Sequence, residues 1–158
     1  MARTKEHHYA LRLRWTGNRG EGTTGYRDYD RDWDISIDGK PGLKGSADPA
    51  FLGDPSRHNP EDLLVASLSA CHMLWYLHLC AVDGIVVTGY EDDAVGTMQQ
   101  EPDGGAQFTS VTLKPKVTIR AGDMKKAEAL HARANEMCFI ARSVNFPVKH
   151  EAKIVEES

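Results

Sequence analysis

The sequence predicts an α+β fold, with two helices packed on a mostly antiparallel β-sheet. Three observations lead there. Residues 59–81 are an almost unbroken apolar run opened by helix-start residues. Residues 124–142 repeat apolar side chains at helical spacing. Around and between them lie β-rich runs bounded by Gly, Pro and Asp. At 158 residues the chain has room for one domain with a real core, residues 1–158, and is short for two.

Each element has a local reason. "HHYALRLRW", residues 7–15, alternates so that Tyr9, Leu11, Leu13 and Trp15 share one face of a strand. "TGNRGEGTTG" reads as a turn, because its glycines tolerate positive φ. "WDISID", "GK" and "PGLKGS" read as a short hairpin, and "ADPAFLGDPSRH" as a loop. The first helix then opens with Asn59 as cap and Pro60 at the first helical position. Glu61 and Asp62 sit at the positive end of its dipole. Its body is apolar on nearly every side, which predicts burial all round and an end near Asp83–Gly84. Its length approaches a bilayer span, but Ser67, Ser69, His72 and His78 interrupt it and no basic flank follows. A buried helix, not a membrane segment, is the expectation.

"GIVVTGYEDDAVGTMQQ" and "AQFTSVTLKPKVTIR" read as two long strands joined by "EPDGG". Asp123 caps the second helix, "MKKAEALHARANEMCFIAR", with an apolar stripe of Ala127, Leu130, Ala134, Met137, Cys138 and Ala141. Asn145, Phe146 and Pro147 end it, and "VKHEAKIVE" returns as a last strand. The sequence contains no repeat, linker or low-complexity segment.

Charge and cysteine usage narrow the function. Lys and Arg number 19 against 23 Asp and Glu, for a net charge of −4, and the basic residues are scattered. That counts against nucleic acid, which asks for a basic face. Three cysteines are an odd number, and "MARTKEHHYALRLRW" holds no hydrophobic signal segment. Both observations point to a reducing cytoplasm rather than a secreted disulfide framework.

The thiols can be filler, metal ligands or reagents. Cys80 reads as core filler, since cysteine is among the most often buried residue types. Cys71 and Cys138 each lie on the inner face of one of the two helices, which leaves an inter-helix thiol pair open. A disulfide would need Cα atoms within roughly 7 Å. His58, His72, His78 and His131 are available for a metal, but no CxxC or HxxxH spacing occurs. His72 points about 100° away from Cys71 around the helix and reads as a core or interface histidine. No metal and no cofactor are expected. If Cys71 is a reagent, mid-helix burial works against its thiolate and a cation must hold it. Arg14, Arg19, Arg57 and Arg142 are the candidates, with Arg19 in the glycine-rich turn.

Taken together, the chain resembles the OsmC/Ohr family of thiol-dependent hydroperoxide reductases. The resemblance rests on "NPEDLLVASLSAC", on Cys138 before "SVNFPV" and a final strand, and on "RWTGNRGEGT". It covers most of the chain. It implies an OsmC-like fold, Cys71 as the peroxidatic cysteine, Cys138 as the resolving one, and Glu61 and Arg19 as their catalytic partners. Alkyl or lipid hydroperoxides are the implied substrates and a dithiol, of lipoyl type, the implied reductant. Two departures stand out: Phe139 follows Cys138 where many members have proline, and "ADPAFLGDPSRH" lengthens the approach to the helix. The implied cycle takes Cys71 to a sulfenic acid, which Cys138 condenses to a disulfide.

Helix geometry adds an expectation of its own. Glu61 and Cys71 are ten residues apart on one helix, about 15 Å along its axis. Two copies of the helix crossing near Ala66, at the small residues of "VASLSA", would bring Glu61 of each chain toward Cys71 of the other. An interwoven homodimer with shared sites is therefore expected. The competing expectation is a non-catalytic protein of the same fold that holds a small apolar ligand in a dimer groove.

Overall fold

The computed structural model describes residues 2–158. They form two compact units, one reaching Leu63 and one starting at Leu64. In the first, β1 (Arg12–Trp15), β2 (Trp33–Ser36) and β3 (Leu43–Gly45) make an antiparallel sheet in chain order. Trp15 pairs with Trp33, and Trp33 with Gly45. A Cβ on Gly45 would run into the Trp33 indole, so this close approach requires glycine. The strand expected over residues 7–15 is confined to its last four residues. Its apolar face is also open, with Tyr9 92% and Trp15 41% exposed.

The long connection between β1 and β2 is held by its backbone. The Trp15 indole donates to the Asp30 carbonyl at 2.8 Å, and the Asp30 amide to the Gly17 carbonyl at 2.9 Å. Before the first helix, Asp48 caps a short 3-10 turn, Pro49–Phe51, by accepting from the Ala50 amide. Helix α1 (Pro60–Val82) opens as expected. Asn59 accepts from the Asp62 amide at 2.8 Å, and Asp62 accepts from the Asn59 amide at 3.2 Å. Gly84, at φ 72°, ends the helix in the left-handed region.

The burial expected all round α1 is not met within the chain. Its fully buried residues are Leu68, His72, Tyr76 and Cys80, one stripe at four-residue spacing. Ala66, Ala70, Leu74, His78 and Val82 make a parallel stripe that stays exposed. Within residues 64–158, the second helix and the sheet around it cover one side of α1 and leave the other open.

Both long strand runs break in the middle. β4 (Val86–Asp92) and β5 (Val95–Gln100) replace the first, β6 (Ala106–Leu113) and β7 (Pro115–Ala121) the second. β4 pairs antiparallel with β7, and β5 with β6, so the hairpin bends into two sheets. Asp92 fastens the bend. It accepts from the Lys114 amide and from the Ser69 hydroxyl, both at 2.6 Å. The final run splits at the same level: β8 (Val148–His150) runs parallel to β6, and β9 (Lys153–Glu156) parallel to β7. The remaining pairings are antiparallel, as expected for most of the sheet.

Helix α2 (Met124–Met137) starts on Asp123, which accepts from the Lys125 and Lys126 amides. It stops five residues short of the expected end at Arg142. Cys138 leaves the helix with extended backbone, and a 3-10 turn follows at Ala141–Ser143. The buried face of α2 is Ala127, His131 and Ala134. With Tyr76, Cys80, Ile85, Val117 and Ile119 these alanines form the larger core cluster. Each fully buried Val or Ile there contributes roughly 1.5–3 kcal/mol.

Candidate functional site

Two of the sequence-predicted residues come together in the second unit. Cys71 sits mid-helix on α1 and is half-buried, whereas Cys138, at the C-terminal cap of α2, is 1% exposed. The Cys71 and Cys138 thiols are near enough for Cys71 to bear on the titration of Cys138. Burial pushes Cys138 up to about 11, although the Ala141 amide donates to its sulfur at 3.4 Å. This pair is asymmetric: one cysteine is half-buried, and the other is fully buried with its thiol held protonated. Cys80 is buried on the opposite stripe of contacts, with its thiol also raised by burial, as befits core filler.

An apolar surface adjoins the thiols. Leu74, Trp75 and His78 line a shallow cleft of about 250 Å³. They follow Cys71 by three, four and seven residues, which places them on its side of α1. Phe139, next to Cys138, meets the Trp75 ring edge-on at 5.5 Å and is 66% exposed. A helix that stops at Cys138 turns this phenylalanine outward.

The histidines divide. His72 and His131 are buried edge to edge, with Nε2 to Nδ1 at 3.0 Å, ring centroids 5.3 Å apart and ring planes parallel within 3°. His131 also stacks on Tyr76 at 3.9 Å. Burial holds His72 down at about 4 and His131 at about 3, so both are neutral imidazoles at neutral pH. His72 is thus the core histidine the sequence suggests. The buried position of His131 was available in the sequence, since it falls between Ala127 and Ala134 on the same helix face. Among the described residues, no three His, Cys, Asp or Glu side chains converge as metal ligands.

The other predicted residues, Arg142 apart, lie in the first unit. Glu61, in the first turn of α1, is half-buried and makes no ion pair within 4.0 Å among the described residues. Arg19 donates from Nη2 and Nε to Asp30 Oδ1 at 2.6 and 3.1 Å, and from Nη1 to the Arg27 carbonyl. Its charge is matched by that carboxylate, which it holds below the usual range. Arg57 lies among Asp32, Asp34 and Asp54 at 3.5–3.8 Å. Arg14 is an exposed side chain of β1, and Arg142 an exposed residue of the turn after Cys138.

Sequence reasoning passed over Arg31. It lines a cleft of about 360 Å³ together with Glu61, Trp15, Trp33 and Phe51. In the sequence it is one charge in "RDYDRDWD", a pattern that reads as solvated surface. The signal that it is not lies two residues on, where Trp33 begins a strand.

Comparison with known proteins fits this architecture. The OsmC-like protein family matches residues 53–153. Among solved structures, the chain is similar to an OsmC-like protein of unknown function from Vibrio cholerae. The two are 30% identical over 93% of this chain and 99% of that one, with a TM-score of 0.83. An organic hydroperoxide resistance protein OsmC from Legionella pneumophila matches at 18% identity, 96% and 98% coverage, and TM-score 0.65. The organic hydroperoxide resistance protein OhrB of Bacillus subtilis matches at 20%, 93% and 98%, and 0.57. At those two identities the likeness is one of fold. No curated protein sequence matches the chain. By family match and overall structural likeness, this chain belongs to the OsmC-like protein family.

Proposed function

We propose that the protein reduces organic hydroperoxides by a two-cysteine cycle, as a cytoplasmic homodimer in oxidative-stress defence. The observation that carries this reading is the thiol pair: half-exposed Cys71 on α1 beside buried Cys138 at the end of α2, each free and near enough for one to bear on the other. The Cys71 thiolate attacks the outer peroxide oxygen, the O–O bond breaks, and the alkoxide leaves as the alcohol after taking a proton. Cys71 is then a sulfenic acid. The Cys138 sulfur displaces its hydroxyl as water, forming the disulfide. A dithiol, of lipoyl type, reduces that disulfide by exchange and leaves as its own cyclic disulfide. The net reaction turns hydroperoxide and dithiol into alcohol, water and disulfide.

The dimer has its own support. The exposed stripe Ala66, Ala70, Leu74 and Val82 on α1 is a face without cover in one chain, and its alanines allow close helix approach. A second reading, ligand binding without turnover, is favoured by the cleft at Leu74, Trp75 and His78. One assay separates the two. Purified protein with cumene hydroperoxide and dihydrolipoamide should consume one dithiol per hydroperoxide, and Cys71→Ser should consume none. Absence of turnover with saturable binding of an apolar probe would select the second reading.

A further inference from the structure

Strand alternation in the first unit sorts side chains by chemistry. In β1, Arg12 and Arg14 alternate with Leu13 and Trp15. Across the register Arg12 faces Ser36, Arg14 faces Asp34, and Asp34 in turn faces Lys44 of β3. Directly opposed residues project from the same side of a sheet, so Arg12, Arg14 and Lys44 share one polar face. That face holds a cleft of about 610 Å³, lined by these three cations together with Asp34, Ser36 and Gly42.

The cations in this cleft are unmatched. Among the described residues, no carboxylate comes within 4.0 Å of the charged groups of Arg12, Arg14 or Lys44. Asp34, the carboxylate of the cleft, lies instead 3.6 Å from Nη1 of Arg57, a mostly enclosed guanidinium that also faces Asp32 and Asp54. In a chain of net charge −4, three open cations on one face are a local exception. Like charges at neighbouring positions of a sheet repel each other, and an anion held between them removes that cost.

We propose that this cleft binds a small anion carrying two linked phosphate groups, shared among Arg12, Arg14 and Lys44. Guanidinium forks match phosphate oxygens in pairs, and the Ser36 hydroxyl adds a donor between them. Arg12 and Arg14 stand about 7 Å apart along β1, and Arg14 and Lys44 about 10 Å apart across two strand spacings. A linked pair of phosphates spans those separations better than a single one. Gly42 leaves the floor without a side chain, and none of the lining residues is aromatic, so a nucleobase finds no ring to stack on. The site is independent of the thiol pair: its residues belong to the first unit, Cys71 and Cys138 to the second.

The test is calorimetric titration of the full-length protein with inorganic pyrophosphate at about 0.15 M salt, where diffuse surface attraction is screened. Pyrophosphate should bind saturably, one per chain, and more tightly than sulfate or citrate at the same ionic strength. Arg12→Gln combined with Arg14→Gln should weaken it about tenfold or more, since contacts to charged groups are the strong ones. Lys125→Gln combined with Lys153→Gln removes the same charge from exposed positions of the second unit and should leave the affinity within about twofold. Absence of saturable binding overturns the proposal, as does an equal loss in the two double variants. Sulfate or citrate binding as tightly as pyrophosphate overturns the assignment to linked phosphates. If the double arginine variant does not fold, Lys44→Gln against Lys125→Gln decides: the proposal requires the larger loss from Lys44→Gln.

Discussion

His72 Nε2 and His131 Nδ1 lie 3.0 Å apart in the core, and that contact occupies one nitrogen of each ring. The other two, His72 Nδ1 and His131 Nε2, are buried without a hydrogen-bond partner among the described residues. Whichever ring holds the shared proton, one outer nitrogen is then an unmatched donor and the other an unmatched acceptor. His150 stands close to both rings, Asp92 also bears on His72, and Tyr76 stacks on His131 with Tyr90 packed on Tyr76 in turn.

Stability should fall in acid because of this pair. Their folded values, about 4 and about 3, lie below the ordinary 6.5 of the unfolded chain. Between those limits the unfolded state binds more protons, so stability is full above about pH 6.5 and is lost as pH falls. Each histidine contributes a slope of up to about 1.4 kcal/mol per pH unit. Urea melts from pH 8 to pH 4 should show this decline. His131→Gln should remove roughly one histidine's share of it. An unchanged slope in that variant would count against the burial account.

Asp92 should be a hinge point of stability. It joins the bend between the two sheets to α1 through the Lys114 amide and the Ser69 hydroxyl. Asp92→Ala removes both bonds and should destabilise by roughly 3–6 kcal/mol, since bonds to a charged acceptor are worth about 1.5–3 kcal/mol each. Asp92→Asn keeps an acceptor for the Lys114 amide and should lose less than half as much. Equal losses in the two variants would mean that volume, not hydrogen bonding, matters there.

Much of the fold was legible because its signals are local. Asn59 and Asp123 cap where a helix must begin, and the apolar run after Pro60 is too regular to be anything else. What was not legible depends on partners distant in sequence. Nothing near Asp93 or Lys114 announces that two long strands change sheets; the bend is set by Asp92 reaching Ser69. The apparent all-round burial of α1 reflected composition, which records apolar residues but not which molecule covers them. Cys71 and Cys138 were legible through their helices and the family resemblance. Arg31 was not, because its carbonyl and ring partners at Tyr26 and Tyr29 exist only once the loop is folded.

The shared site makes a complementation prediction. Ten helical residues separate Glu61 from Cys71 by about 15 Å along α1, so each site should draw Glu61 from one chain and Cys71 from the other. Mixing Glu61→Ala chains with Cys71→Ser chains, after dissociation and reassembly, gives heterodimers with one site doubly damaged and one intact. Peroxidase activity should recover toward one working site per heterodimer. If both residues belonged to one chain, every site would carry a defect and confirmed heterodimers would stay inactive.

The central claim is that Cys71 and Cys138 form a working redox pair. Its most direct test is peptide mapping, under non-reducing conditions, after one equivalent of cumene hydroperoxide. The account predicts an intrachain Cys71–Cys138 disulfide in most of the protein, with buried Cys80 still reduced, and a trapped sulfenic acid at Cys71 in Cys138→Ser. A Cys80 disulfide, or Cys71 driven to the sulfinic acid while Cys138 stays free, would contradict it.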